Sequence, residues 1–157
     1  SLISYHNIFL VDYLLSICIL YIKMRINILK SKLHRAIVTD VHLDYEGSCA
    51  IDESLMKAAS INEYEMLHIY NLNNGNRFVT YAIKAEKGSG IISLNGAAAF
   101  KGNKNDLVIV CTYCEIDELK VKSHKPKLIY LKENKNEIDE IKSKIPVQKK
   151  TNIINIK

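Results

Sequence analysis

The stretch YEGSCAID at residues 45–52 places a serine hydroxyl directly after a glycine carbonyl, just ahead of a short helical pattern. Three other features carry chemically useful side chains: Lys32, RFVTY at 77–81 and NGAAA at 95–99. Together they offer a nucleophilic hydroxyl, two cations, a phenol and a loop of small residues. Small side chains let backbone N–H groups approach a ligand closely, so this set has the elements of an active site.

Each of these features, taken alone, also has a structural explanation. A Gly-Ser pair or an Asn-Gly pair fits a turn, and threonine and tyrosine are ordinary strand formers. An isolated lysine is most often a solvated charge, and an arginine fits the surface of a strand. Their combination, in this order and at this separation, is what indicates a function.

Short strand patterns dominate the elements that must position these residues. Asn74-Gly75 joins two of them into a predicted hairpin over 65–85. Asp52 is the predicted N-cap of a short helix, DESLMKAAS. Further strands are predicted at 33–43, at 89–95, at 106–114 and at 127–131, with a helical turn at 115–121. We therefore predict a mainly β protein, a small β-barrel with short helices.

Composition describes an ordinary globular domain, with 48% hydrophobic and 25% charged residues in a chain of 157. Four cysteines are too few for a disulfide scaffold. The pair Cys111 and Cys114 has metal-type spacing but no second pair, so we interpret it as two strand cysteines and expect no metal site. Residues 120–157 contain eleven lysines against four acidic residues. These lysines lack aromatic partners, which favours a solvated surface over a nucleic-acid or membrane partner.

The two ends differ from the middle of the chain. Residues 1–23 are apolar, but Asp12 interrupts them and they lack the basic start and cleavage site of a signal peptide. We expect this segment to be an extension that is not part of the native domain, and the alternative is a membrane-associating segment. The domain is expected over 24–148, with a basic tail at 149–157.

Five motifs together resemble the aspartate 1-decarboxylase family, the pyruvoyl-dependent enzymes of the pantothenate pathway. They are KLHRAIVTD at 32–40, YEGSCAID at 45–52, NGNRFVTYAI at 74–83, GSGIISLNGAAA at 88–99 and IPVQ at 145–148. The resemblance covers residues 24–148. It implies a cytoplasmic enzyme with a double-psi β-barrel fold, assembled as a homotetramer with active sites between subunits.

The resemblance implies that the chain makes its own cofactor from Ser48. The serine hydroxyl would attack the carbonyl of Gly47 and form an ester, and β-elimination would then release a β chain ending at residue 47. The α chain would begin with a pyruvoyl group derived from Ser48. A glycine before the bond adds little steric bulk and tolerates strained backbone. Thr80 is the implied donor to the oxyanion.

The family's second reaction is the decarboxylation of L-aspartate to β-alanine through a Schiff base on the pyruvoyl group. Tyr81 is the implied proton donor, because a phenol with a reference pKa of about 10 holds its proton at neutral pH. Lys32 and Arg77 are the cations for the two substrate carboxylates. We expect the planar fork of Arg77 to bind the β-carboxylate.

The loop at 95–98 is the implied substrate-contacting loop. Gly96, Ala97 and Ala98 match the family's small-residue run. Asn95 would orient the pyruvoyl group or the bond that breaks, and the alternative for Asn95 is a buried tight turn.

Two other functions stay open on the sequence. One is a non-enzymatic β-barrel binding module that shares the fold but never cleaves itself. The other is a nucleic-acid-binding protein that uses its lysine-rich C-terminal region, whose binding would weaken steeply with salt.

Overall fold

The computed structural model describes residues 11–13 and 24–149 of the chain. Residues 11–13 are helical and exposed. The rest of the predicted N-terminal extension, and the predicted tail beyond residue 149, lie outside the described residues. Among the described residues, no helix is long and apolar enough to cross a membrane.

The described residues form one sheet of nine strands, with one α-helix and two 3₁₀ helices between them. The strand order is β2-β6-β3-β5-β4-β7-β1-β8-β9. The strands are β1 (Arg25–Ile37), β2 (Asp40–His42), β3 (Ser48–Asp52), β4 (Met66–Asn71), β5 (Arg77–Ala85), β6 (Ile92–Asn95), β7 (Leu107–Asp117), β8 (Lys127–Leu131) and β9 (Ile138–Lys142). The helices are α1 (Glu53–Ala59) and the 3₁₀ helices Gly96–Lys101 and Glu118–Ser123. The prediction of a mainly β protein with short helices is confirmed, and the double-psi topology stays a prediction.

The chain divides into two compact units. The smaller comprises Ser1–Ile28 and Cys114–His124. In its described part, the guanidinium of Arg25 pairs with the carboxylate of Glu115 at 3.1 Å. The larger unit comprises Leu29–Tyr113 and Lys125–Lys157, and every residue predicted for the active site belongs to it.

The core of the larger unit consists of aliphatic side chains from the strands and one face of α1. Leu67 and Ile69 alternate with more exposed residues along β4 and are fully buried, as expected for a strand with one face toward the core. Helix α1 adds Leu55, Met56 and Ala59. This packing fixes the strands that carry the site.

The carboxylate of Asp52 anchors the end of β3. It caps α1 by accepting a hydrogen bond from the Ser54 N–H at 2.7 Å, so the predicted N-cap is confirmed. It also accepts bonds from the N–H groups of Gly88 at 3.0 Å and Gly90 at 2.7 Å. Burial raises the pKa of Asp52, but these donors outweigh burial and hold the pKa below its usual value. One charged side chain therefore ties α1 to the turn that precedes β6.

The hairpin predicted at Asn74-Gly75 is confirmed as the antiparallel pair β4–β5, with Tyr70 opposite Arg77. Gly75 has a φ of +75°, the left-handed conformation that glycine adopts at little cost. The connection runs over residues 72–76, longer than a two-residue turn, and the Asn71 side chain accepts a bond from the Asn73 N–H at 2.8 Å.

The strand predicted over 33–43 is instead two strands. β1 begins eight residues earlier and ends at Ile37, and β2 begins at Asp40. Between them the backbone changes partners, because the N–H of Val38 bonds to Asp106 and that of Thr39 bonds to Ile92. The pattern of the sequence shows β-branched residues on both sides of this break but not the change of partner.

Candidate active site

Ser48 and Asn95 lie directly opposite each other in the antiparallel pair β3–β6. Directly opposed residues place their side chains on the same face of a sheet. The Nδ2 of Asn95 donates a hydrogen bond to the Oγ of Ser48 at 3.2 Å. The two residues are only 1% and 2% exposed, so the hydroxyl predicted to be the nucleophile is buried and already has a donor directed at it.

Ser93, a residue without a predicted role, extends this contact. Its hydroxyl donates to the Oδ1 of Asn95 at 2.9 Å, and the residue is 4% exposed. A position two residues before Asn95 on a strand shares its face, which is the signal that could have identified Ser93. The result is a buried series of three side chains that ends at Ser48.

The backbone at Ser48 is strained. Its φ is +150°, a conformation that side-chain-bearing residues rarely adopt. Such residues cost about 1–3 kcal/mol and persist only where the surroundings impose them. The strain therefore lies on the residue whose bond to Gly47 is predicted to break.

The neighbouring thiol of Cys49 is a poor rival nucleophile. The residue is fully buried, and burial raises the pKa of the Cys49 thiol to about 12. The thiol stays protonated at neutral pH, and the thiolate is the reactive form. Ser48, unlike Cys49, directly follows Gly47 and receives the hydrogen bond from Asn95, so it is the better placed nucleophile for the Gly47 carbonyl. Cys111 and Cys114 both lie in β7, as predicted for strand cysteines.

The small-residue run predicted as a loop is instead the start of the 3₁₀ helix Gly96–Lys101, and Gly96 brings it against the Gly47–Ser48 segment. Its φ is +58°, and a Cβ at this position would lie 2.8 Å from the Cα of Gly47 and 3.1 Å from its nitrogen. A Cβ on Gly47 itself would meet no atom within 4 Å. The close approach therefore requires a glycine at position 96, whereas the packing around residue 47 leaves space for a side chain.

We expect Gly96→Ala to displace this loop and to slow any reaction at the Gly47–Ser48 bond. The added Cβ meets backbone atoms, which do not yield as a flexible side chain would. Unfolding in denaturant is expected to show a loss of more than about 2 kcal/mol, the sum of an unfavourable φ and a steric clash.

Gly75→Ala is the matched control for this change. Its φ of +75° is equally unfavourable for alanine, but its Cβ would meet no atom within 4 Å. It is expected to lose only about 1 kcal/mol. Equal losses for the two variants would mean that the contact with Gly47 has no energetic importance.

A cavity of about 210 Å³ opens beside Ser48. Its walls include the predicted residues Gly47, Ser48, Thr80, Asn95, Ala97 and Ala98, together with Phe78, Val79 and Lys101, which were not predicted. One chain thus brings together the proposed cleavage site, the proposed oxyanion donor and most of the substrate loop.

The other predicted residues of β5 lie on its opposite face. Side chains alternate along a strand, and Phe78 and Thr80 are more buried than Arg77 and Tyr81. The Arg77 guanidinium lies over the ring of Tyr70, 4.5 Å from its centroid. Tyr81 is 39% exposed. Neither Arg77 nor Tyr81 lines the cavity beside Ser48.

Lys32 is also separate from that cavity. It lies on β1, with its Nζ 5.3 Å from the centroid of the Tyr130 ring. The His34 ring packs against the same tyrosine at 5.0 Å. Burial, followed by the charges of Lys32 and Arg35, lowers the pKa of His34, so this imidazole is neutral at pH 7. Lys32 therefore belongs to a second group of polar and aromatic residues on the sheet.

Comparison with known proteins identifies the family of this chain. The profile of the family described as aspartate decarboxylase matches residues 24–139. An aspartate 1-decarboxylase of Nitrosococcus oceani is 57% identical over 125 residues, which are 80% of this chain and 98% of the relative. Two more relatives of the same name, from Hydrogenovibrio crunogenus and Alkalilimnicola ehrlichii, are 54% and 52% identical to this chain. Each match spans 80% of this chain, and the two matches span 96% and 98% of the respective relatives. The chain belongs to the aspartate decarboxylase family.

Proposed function

We propose that this chain cleaves itself between Gly47 and Ser48 and then decarboxylates L-aspartate to β-alanine and CO₂, supplying pantothenate biosynthesis. The observation that carries the proposal is the position of Ser48. It is a buried, strained serine with an amide donor on its hydroxyl, directly after a glycine carbonyl. Membership of the aspartate decarboxylase family supports the substrate and the reaction.

Cleavage as proposed uses groups of this chain and water. The Ser48 hydroxyl adds to the carbonyl carbon of Gly47, and the amide nitrogen leaves with a proton, so that an ester replaces the peptide bond. Removal of the Ser48 α-proton expels the Gly47 carboxylate and leaves a dehydroalanine. Water then replaces the nitrogen, which departs as ammonia, and the new chain starts with a pyruvoyl group at position 48.

Thr80 and Asn95 are the groups placed to assist the first step. Both line the cavity that Gly47 and Ser48 also line. Addition to the Gly47 carbonyl creates an oxyanion, and a preorganised hydroxyl or amide donor stabilises such charge more than water does. We assign Thr80 to this oxyanion, because the Asn95 amide already donates to the nucleophile.

The residues present fit a pyruvoyl group at position 48. The site is buried, Asn95 directs an amide donor at the side chain, and Ala97 and Ala98 leave space beside it. The group supplies an electrophilic carbonyl that accepts the electrons released with CO₂, which no ordinary side chain provides. Tyr81 then gives a proton to the α-carbon of the substrate.

Completion of the site requires a second copy of the chain. Lys32, Arg77 and Tyr81 do not line the cavity beside Ser48. Side chains on the outer face of one subunit reach such a cavity when a neighbouring subunit packs against it. We propose that the assembly is a homotetramer with active sites between subunits.

Arg77 is expected to determine selectivity for a substrate with a second carboxylate. Arg77→Lys removes bidentate binding, and charge-assisted hydrogen bonds of this kind contribute about 1.5–3 kcal/mol. The KM for aspartate is expected to rise about 10–100-fold, and the preference for aspartate over alanine to fall by a similar factor. Steady-state kinetics with both amino acids measure the two effects.

Arg25→Lys is the control for this substitution, because its guanidinium is exposed and pairs with Glu115 outside the proposed site. It should leave KM and selectivity unchanged. If Arg77→Lys altered turnover but not selectivity, the assignment of Arg77 to the β-carboxylate would be wrong.

Intact mass under denaturing conditions tests the proposal as a whole. Two chains that meet at Gly47 and Ser48, the larger blocked by a pyruvoyl group, together with β-alanine formation from aspartate, are the expected result. A single chain that stays intact on prolonged heating would instead support the binding module. Salt-sensitive binding of DNA or RNA would support the nucleic-acid alternative.

A further inference from the structure

The buried series of Ser93, Asn95 and Ser48 points to a residue beyond those already assigned. We propose that Ser93 is a positioning residue for self-cleavage, which holds the amide of Asn95 with its nitrogen toward the Ser48 hydroxyl. This inference rests on the proposed function. It adds a side chain that touches neither the Gly47 carbonyl nor the cavity.

The geometry of β3 and β6 aligns the three side chains. In the antiparallel register Ser48 lies opposite Asn95, and Ala50 lies opposite Ser93. Residues two apart on a strand share a face, so Ser93 and Asn95 project the same way. Their contacts, 2.9 Å from Ser93 Oγ to Asn95 Oδ1 and 3.2 Å from Asn95 Nδ2 to Ser48 Oγ, run along one buried face.

An asparagine amide needs such a partner to keep one orientation. Its terminal torsion is broad and roughly two-fold, so rotation by half a turn exchanges its oxygen and its nitrogen. The Ser93 hydroxyl donates to Oδ1 and so directs Nδ2 at Ser48. Without that hydroxyl, the buried Oδ1 would lack a donor, and this orientation would no longer be favoured.

The orientation of the amide affects the first step of cleavage. As the Ser48 hydroxyl attacks, its oxygen gives up a proton and passes through a more negative state. An N–H already directed at that oxygen stabilises the negative charge without reorganisation. An amide oxygen in the same place would repel that charge. Ser93 therefore acts on the nucleophile through Asn95.

The experiment is a double-mutant cycle on the full chain. The rate of cleavage after purification is measured for each variant by intact mass at successive times. Ser93→Ala is expected to slow cleavage about tenfold, the effect of one lost hydrogen bond. Ser93→Thr keeps the hydroxyl and is expected to restore the rate to within about threefold of wild type. In an Asn95→Ala background, Ser93→Ala should change the cleavage rate less than about twofold, because the amide through which Ser93 acts on Ser48 is absent.

Ser31→Ala is the control for the loss of a buried serine hydroxyl. Ser31 is fully buried and bonds to Thr112 at 2.6 Å, away from the cavity beside Ser48. It should lower the melting temperature about as much as Ser93→Ala does and leave the cleavage rate unchanged. If Ser93→Ala does not fold, Ser93→Cys keeps the size with a weaker donor and should slow cleavage less than tenfold but measurably.

Three results would overturn the inference while the proposed function stands. They are a Ser93→Ala chain that cleaves at the wild-type rate, an equal slowing in the Asn95→Ala background, and an equal slowing by Ser31→Ala. A wild-type chain that never cleaves would overturn the proposed function, and the role of Ser93 with it.

Discussion

Ser48→Ala is expected to abolish self-cleavage and to leave one intact chain without decarboxylase activity. Alanine has no oxygen to add to the Gly47 carbonyl, and the electron sink derived from residue 48 can never form. Cys49 lies one residue further from the Gly47 carbonyl, and burial raises the pKa of its thiol to about 12, so we do not expect it to substitute for the hydroxyl. Intact mass should show a single species, and β-alanine formation should be at the background rate.

The variant is expected to fold, since serine to alanine removes one oxygen from a buried site and leaves the methylene in place. The bond from Asn95 is lost, which costs about 1 kcal/mol. The comparison is Ser31→Ala, another buried serine, which should cleave normally. A Ser48→Ala chain that still divides at residue 47 would refute the mechanism.

Tyr81→Phe is expected to separate the two reactions proposed for this protein. Its side chain does not line the cavity beside Ser48, so cleavage within a chain should proceed at the wild-type rate. Decarboxylation requires protonation of the substrate carbon, and loss of a positioned acid lowers kcat by about 10²–10⁴-fold. The KM for aspartate should change little, because phenylalanine keeps the ring.

Intact mass measures the first expectation, and steady-state kinetics on the fully cleaved enzyme measure the second. Tyr64→Phe provides the control, since Tyr64 is 73% exposed and lies outside the site. A Tyr81→Phe enzyme with kcat within about threefold of wild type would exclude Tyr81 as the proton donor. Arrested cleavage would indicate that Tyr81 acts in maturation instead.

Elements that depend on neighbouring residues were predictable from the sequence. Asp52 caps α1 because its side chain reaches a backbone N–H two residues away. Gly75 forms the hairpin turn because it alone in that stretch adopts a positive φ at little cost. Both effects act within a few residues, so the local pattern determines them.

Elements that depend on distant partners were less predictable. The break between β1 and β2 follows from hydrogen bonds to Ile92 and Asp106, more than 50 residues along the chain. Strand β9 was not predicted, because its residues are mostly charged and exposed. It forms by pairing with β8 at the edge of the sheet. Ser93 was overlooked for the same reason, since its importance comes from what Asn95 contacts.

The sequence by itself determined which chemical groups this protein has: a serine after a glycine, a hydroxyl and a phenol side by side on one strand, and a loop of small residues. Only the tertiary structure decided which of them meet. The register of β3 against β6 brings Asn95 to Ser48 across 47 positions of sequence. Thr80 lines the cavity beside Ser48, whereas Tyr81, the next residue on β5, does not. A pattern of residue types does not contain that register, because it results from packing the whole sheet around one core.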